Sequence, residues 1–186
     1  MSIDDVLSHA DKNMARTLDV AAEEFSGIRT GRANAGLFKS LMVDYYGTPT
    51  PLQALASITV QDARTVLITP YDKGAMHNVE KAIRDSDLGV NPSDDGQAVR
   101  LVMPELTEER RKEYVKLARS KAEESRVSVR AVRHKSREAL AKMAKDGEIS
   151  EDDQHRAEHG LDSKTKTYIE KIDDLLSRKE ADLLAV

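Results

Sequence analysis

The residues best able to engage a partner lie in one segment. Arg126, Arg130, Arg133 and Arg137 follow one another at steps of 4, 3 and 4, so a helix carries them on one face. Lys112, Lys116 and Arg119 continue the line toward the helix start. A guanidinium donates two parallel hydrogen bonds from a planar fork, which suits phosphate and carboxylate. The competing reading is a solvated face neutralised by intrahelical pairs, for which Glu123 and Glu138 are at hand. No acid falls inside the stripe, and four like charges repel. On that ground the stripe implies an anionic partner, either RNA or an acidic protein.

A second basic group is Arg29-Thr30-Gly31-Arg32-Ala33. Gly31 reads as a helix C-cap, with positive φ at the glycine and Arg29 on the end carbonyls. That does not account for Arg32. The remaining candidates are weak. His155 and His159 stand four apart, but Arg156 occupies the place where the zinc-protease motif has Glu. Gly27 and Gly31 are not followed by the Lys-Ser/Thr of a phosphate loop. No serine sits in a nucleophile elbow. Asp152-Asp153 and Asp173-Asp174 read as solvated helix surface. With no cysteine in the chain, thiolate chemistry, disulfides and Cys-ligated metals are excluded. Nothing assembles an active site, and neither an enzyme nor a cofactor or metal is expected.

Charge separates along the chain. The total is −4, but residues 107–145 carry 13 basic and six acidic side chains, net +7, and residues 146–186 carry six and 12, net −6. Positive charge so confined points to polyanion binding where the total does not. A third of the residues are charged and 4% are aromatic, which suits long amphipathic helices with a narrow aliphatic seam. No stretch approaches the roughly 20 apolar residues needed to span a bilayer. The acidic start, Ser2-Ile3-Asp4-Asp5, is unlike a signal peptide. A cytoplasmic, monomeric protein is expected.

The elements that must position these residues follow from periodicity. Ile3, Leu7, Ala10, Met14, Leu18, Ala21, Phe25 and Ile28 recur at steps of three and four, which predicts a first helix capped by Ser2 and running to Gly31. Residues 41–46, 57–61, 65–69 and 98–102 read as strands. The stretch 47–51, with Pro49 and Pro51, reads as a turn, and 74–87 as a short helix. From Thr107 no Gly or Pro appears before Gly147, giving a helix of roughly 58 Å. Ser150 caps a last helix with its seam at Leu161, Thr165, Tyr168, Ile172, Leu175 and Leu183.

Three one-sided helices cannot be stable alone. The economical fold is α+β and mainly α: a long antiparallel three-helix bundle from 1–30 and 105–186, with a small α+β domain, 31–104, inserted through two strands. Thr30, Gly31, Arg32 and Ala33 on one strand, with Pro104, Glu105 and Leu106 on the other, form the expected hinge.

Several stretches together resemble ribosome recycling factors. They are Ile28-Arg29-Thr30-Gly31-Arg32-Ala33, Tyr45-Tyr46-Gly47-Thr48-Pro49-Thr50-Pro51, Val79-Glu80-Lys81-Ala82-Ile83, Asp87-Leu88-Gly89-Val90-Asn91-Pro92, Leu106-Thr107-Glu108-Glu109-Arg110-Arg111 and Lys179-Glu180-Ala181-Asp182-Leu183. They recur in family order over essentially the whole chain. The resemblance implies an L-shaped molecule that binds ribosomal RNA on the intersubunit face of the large ribosomal subunit. With elongation factor G and GTP it would promote subunit dissociation and release of mRNA and deacylated tRNA. The family's RNA-contacting arginines match Arg130 and Arg133, which Arg126 and Arg137 flank, and its hinge-proximal basic motif matches Arg29 and Arg32. Two departures, Ala35 and Glu105 where many members have proline, imply a looser hinge. The competing function is a helical scaffold that binds an acidic partner through the arginine stripe.

Overall fold

The computed structural model describes residues 2–185; the outermost residues of the expected helical domain, 1 and 186, lie outside them. The chain resolves into two compact units. One contains the chain up to Phe25 together with Val115–Ala181, and the other contains Ser26–Tyr114 and the residues from Asp182 onward.

The first unit is a bundle built from most of three helices: α1 (Ile3–Ser26), α5 (Glu108–Lys145) and α6 (Glu151–Leu184). Each start is capped as its residue types dictate. Ser2 Oγ accepts from the Asp5 amide at 3.1 Å while Asp5 returns a carboxylate to the Ser2 amide at 2.8 Å. Ser150 Oγ accepts from the Asp153 amide at 3.1 Å, and Thr107 Oγ1 receives the Arg110 amide at 3.3 Å. At the far end of α5, Gly147 has φ +76°. Its amide reaches Ala144 O, and the Glu148 amide reaches Met143 O. That is the Schellman pattern, which needs a left-handed residue at this point.

Most of the predicted seams are buried: Ala10, Met14, Ala21 and Phe25 of α1, Ala118, Ala122, Val129, Leu140 and Met143 of α5, and Leu161, Thr165 and Ile172 of α6. Ile3, Leu7, Leu18, Tyr168 and Leu175 are half-buried. Thr165 is accommodated because its Oγ1 donates to Leu161 O at 2.8 Å. Polar clasps fix the register. Lys121 Nζ on α5 meets Glu24 of α1 at 3.2 Å. Asp11 of α1 accepts from Tyr168 Oη and Lys164 Nζ of α6, both at 3.1 Å. Near the other end Val6 packs with Leu140, Met143 and Ala157. Thus α5 runs antiparallel to both α1 and α6.

The second unit has the chain order α2 (Gly36–Lys39), β1 (Met42–Tyr45), β2 (Thr48–Pro51), α3 (Leu52–Leu55), β3 (Ala56–Val60), β4 (Thr65–Pro70), α4 (Met76–Arg84), β5 (Pro92–Asp94) and β6 (Val99–Val102). A short 3-10 turn, Lys73–Ala75, leads into α4 and is capped by Asp72, which accepts from the Gly74 amide. The sheets are a hairpin, β1-β2, and an antiparallel sheet in the order β3-β4-β6-β5. Phe38, Val43, Leu52, Ile68, Ile83 and Leu101 are fully buried between sheets and helices.

Three expectations need correction here. The stretch 47–51 is not a turn. Only Tyr46 and Gly47 turn, both with positive φ (48° and 82°), and Thr48–Pro51 pairs with Tyr45–Met42. A two-residue loop makes Tyr45 and Thr48 a hydrogen-bonded pair, so Pro49 and Pro51 fall at alternate positions where no ladder amide is required. The first helix stops at Ser26, so Gly31 is not its C-cap. The helix expected over 74–87 is regular only from Met76 to Arg84. The strand Pro92–Asp94 and the one-turn helices α2 and α3 carried no periodicity long enough to predict them.

Candidate nucleic-acid interface

The arginine stripe exists, but its charge is answered within the chain. Arg126 gives Nε and Nη2 to Asp173 Oδ1 at 2.8 and 2.6 Å and Nη1 to Glu123 at 2.9 Å. Arg130 gives Nη1 to Glu123 at 3.0 Å, and Arg137 gives Nη2 to Glu158 at 2.9 Å. Arg133 Nη1 lies 3.6 Å from Asp162, too far for a hydrogen bond. Arg119, on the same line, meets Glu180 at 2.6 Å. The inference from uncompensated repulsion therefore fails: Glu123 of α5 answers Arg126 and Arg130, and the other acids lie on α6. They form a row of their own. Glu158, Asp162, Asp173 and Glu180 are spaced 4, 11 and 7 apart, one face of α6. They meet Arg137, Arg133, Arg126 and Arg119 in antiparallel order. Asp173, read from sequence as plain solvated surface, is one of them. A matching heptad-like row of acids on the last helix was the available signal.

The pairs are not equal. The Arg126 side chain is 20% exposed and uses three donors, so it is the most structural of the four. Arg130, Arg133 and Arg137 are 49%, 39% and 44% exposed. Arg133 is also the least satisfied: its buried Nε has no hydrogen-bond partner. The fields are mutual. The Arg126 and Arg130 guanidiniums hold the Glu123 carboxyl below its ordinary range. Gln154 and then Arg137 do the same for Glu158. Burial works against the charge on Arg126, but its bonds to Asp173 and Glu123 outweigh that and raise it.

The second basic group is held differently. Arg29 donates from Nη2 to the Asp87 carbonyl, and Arg32 lies 3.6 Å from Asp182 with half its side chain exposed. Gly31 takes φ +74°, and a Cβ there would stand 3.3 Å from Leu106 Cγ and 3.6 Å from Pro104 O. The two strands predicted as a hinge thus run closely side by side. They are tied down just beyond it, where the Ala33 amide meets Ala63 O at 2.8 Å and the Met103 amide meets Arg64 O at 2.7 Å. Arg64 adds an ion pair to Glu105 at 2.6 Å. Ala35 already has φ −60°, the value a proline would impose.

Among the described residues no group of three or more His, Cys, Asp or Glu side chains could hold a metal ion. Among the described residues no helix is long and apolar enough to cross a membrane.

Comparison with known proteins converges on one family. The family model described as ribosome recycling factor matches residues 21–184. The ribosome-recycling factor of Kocuria rhizophila is 58% identical over 182 residues, 98% of each chain. That of Cutibacterium acnes is 59% identical over 182 residues, 98% of this chain and 99% of its own. Among solved structures, a solution structure of the ribosome recycling factor superposes with a TM-score of 0.80 at 35% identity, covering 100% of this chain and 99% of that one. A second match, with a TM-score of 0.73 at 41% identity and full coverage of both chains, comes from the T. thermophilus ribosome recycling factor and E. coli elongation factor G bound to the E. coli post-termination complex.

Proposed function

The chain belongs to the ribosome recycling factor family, and from that premise we propose how its own residues serve ribosome recycling. It is a binding factor and not an enzyme. Like the T. thermophilus factor, it acts on the post-termination ribosome in partnership with elongation factor G, promoting subunit dissociation and release of mRNA and deacylated tRNA. Its working compartment is the cytoplasm.

We assign the ribosomal RNA contacts to Arg130 and Arg133, with Arg137 and Arg126 flanking them and Arg29 and Arg32 as a second basic group. The observation that carries this is the incomplete pairing of Arg130 and Arg133. One uses a single donor and the other none within hydrogen-bond distance, and their side chains are 49% and 39% exposed, so both forks retain donors for phosphate oxygens. The helical bundle, 1–30 with 105–186, is the RNA-docking domain. The inserted domain, 31–104, moves on the hinge at Thr30–Ala33 and Pro104–Leu106. The scaffold reading is not favoured, because the acids it would borrow from a partner are already supplied by α6.

The test is co-sedimentation with vacant bacterial ribosomes, wild type against Arg130→Ala/Arg133→Ala. Wild type pellets, and the double variant, with unchanged helical circular dichroism, is held at least about tenfold more weakly, as loss of two phosphate contacts implies. A folded double variant that pellets like wild type would remove the RNA assignment from these residues.

A further inference from the structure

The acidic row on α6 does more than balance charge. We propose that Glu158, Asp162 and Asp173 are specificity-determining residues for RNA docking: they neutralise the stripe's diffuse field while leaving its directional hydrogen bonds available. This rests on the assignment of the stripe as the RNA-docking face.

Two components of RNA binding respond differently to such acids. Non-specific binding to a polyanion is almost wholly electrostatic and counterion-driven, so it scales with the net positive charge of the face. Binding to one shaped RNA surface adds hydrogen bonds of fixed geometry. A guanidinium carries five N–H donors. Arg130 and Arg137 each commit one to a carboxylate, and Arg133 commits none within hydrogen-bond distance. Glu158 and Asp162 therefore each cancel a unit of charge without consuming the fork, whereas Asp173 takes two donors of Arg126 and neutralises that arginine outright. The row is in register with the stripe over the whole span from Arg137 to Arg119. Asp162 and Asp173 themselves are 49% and 50% exposed, so their charge acts in the solvent before the stripe. A loose RNA strand meets a nearly neutral face. A surface with phosphates at the spacing of the stripe, about 16 Å from the first arginine to the last, still finds the free donors. This is discrimination by a repulsive element placed beside an attractive one.

The test compares Asp162→Asn/Asp173→Asn with Glu170→Gln/Asp174→Asn. The second pair removes the same charge from the same helix, and neither residue meets an arginine of the stripe: Glu170 faces Lys166 at 3.9 Å. The probes are a duplex RNA of unrelated sequence and vacant ribosomes, with circular dichroism to confirm folding. Asp162→Asn/Asp173→Asn binds the duplex about five- to tenfold more tightly, and its slope of log affinity against log salt steepens by about 1, since Arg133 is freed to shed counterions while Arg126 keeps Glu123. Its ribosome affinity changes less than about twofold. Glu170→Gln/Asp174→Asn leaves duplex binding near wild type. Equal tightening in both variants would mean that net charge alone acts and would overturn the proposal, as would unchanged duplex binding in the first. Arg130→Ala/Arg133→Ala separates the two levels. If it loses the ribosome while the aspartate variant behaves as wild type, only the role of the acids falls. If it keeps the ribosome, the stripe assignment falls with it.

Discussion

Arg126 and Arg133 differ by two helical turns and by the use each makes of its charge. Arg126 has three hydrogen bonds and is mostly buried; Arg133 has a long pair and an orphaned Nε. Substitution separates the two roles. Arg133→Ala weakens ribosome binding by roughly tenfold and changes stability by less than about 1 kcal/mol, because an exposed pair contributes little. Arg126→Ala has the reverse profile: a loss of about 1–2 kcal/mol from severed charged hydrogen bonds and stem packing, with a smaller effect on the ribosome. Pelleting and thermal melts on the two variants check this, and matching profiles would show that the contrast in pairing has no functional meaning. Lysine at 133 restores binding only in part, since a point charge cannot reproduce the fork.

At the scale of elements, the glycines that matter are those whose φ is positive. Gly147 closes α5 with open space around it, whereas Gly31 lies against Leu106. Gly147→Ala therefore costs about 1 kcal/mol, the penalty of a left-handed non-glycine residue. Gly31→Ala costs more, because a Cβ 3.3 Å from Leu106 Cγ adds crowding to that strain. Urea midpoints of the two variants give the order, and an equal shift would show that the neighbouring strand simply yields. These elements also show what was legible beforehand. The helices, their caps at Ser2, Thr107 and Ser150, and the stop at Gly147 follow from local chemistry, and the structure has them. The hairpin strand β2 was hidden because prolines usually argue against strands, and only the pairing register shows that two at alternate positions are harmless. The stripe itself was legible from spacing. Its neutralisation was legible only at Glu123, because Asp162 and Asp173 lie 29 and 47 residues away from Arg133 and Arg126 in sequence. A row of acids on one helix answers a row of bases on another only once the two run antiparallel in register.

For the molecule as a whole, the net charge of −4 conceals a +7 segment lying against a −6 segment. Folding brings these together, so the bundle carries its counterions in its own sequence. The consequence is a pH dependence of definite sign. Several bundle carboxyls are held below their ordinary values: Asp11 by the hydrogen bond from Lys164, Glu123 by Arg126 and Arg130, and Glu158 by Gln154 and Arg137. In the inserted unit, amides of Arg64, Gly74 and Ala98 act likewise on Asp62, Asp72 and Asp95. The unfolded chain therefore takes up protons before the folded one as acid is added. Stability is fully present above the ordinary carboxylate values of 3.8 and 4.5 and is lost as pH falls through them toward the lowered folded values. Once Glu123, Glu158 and their neighbours protonate, α5 also loses the charges that offset its own, and repulsion among its arginines adds to the loss. The melting temperature should stay level from pH 7 to about 5.5 and fall steeply below about 4.5. Glu123→Gln/Glu158→Gln should show a shallower fall, because two of the carboxyls held below their ordinary values have been removed. A melting temperature that is flat down to pH 3 would mean that the antiparallel rows of charge contribute nothing to holding the bundle together.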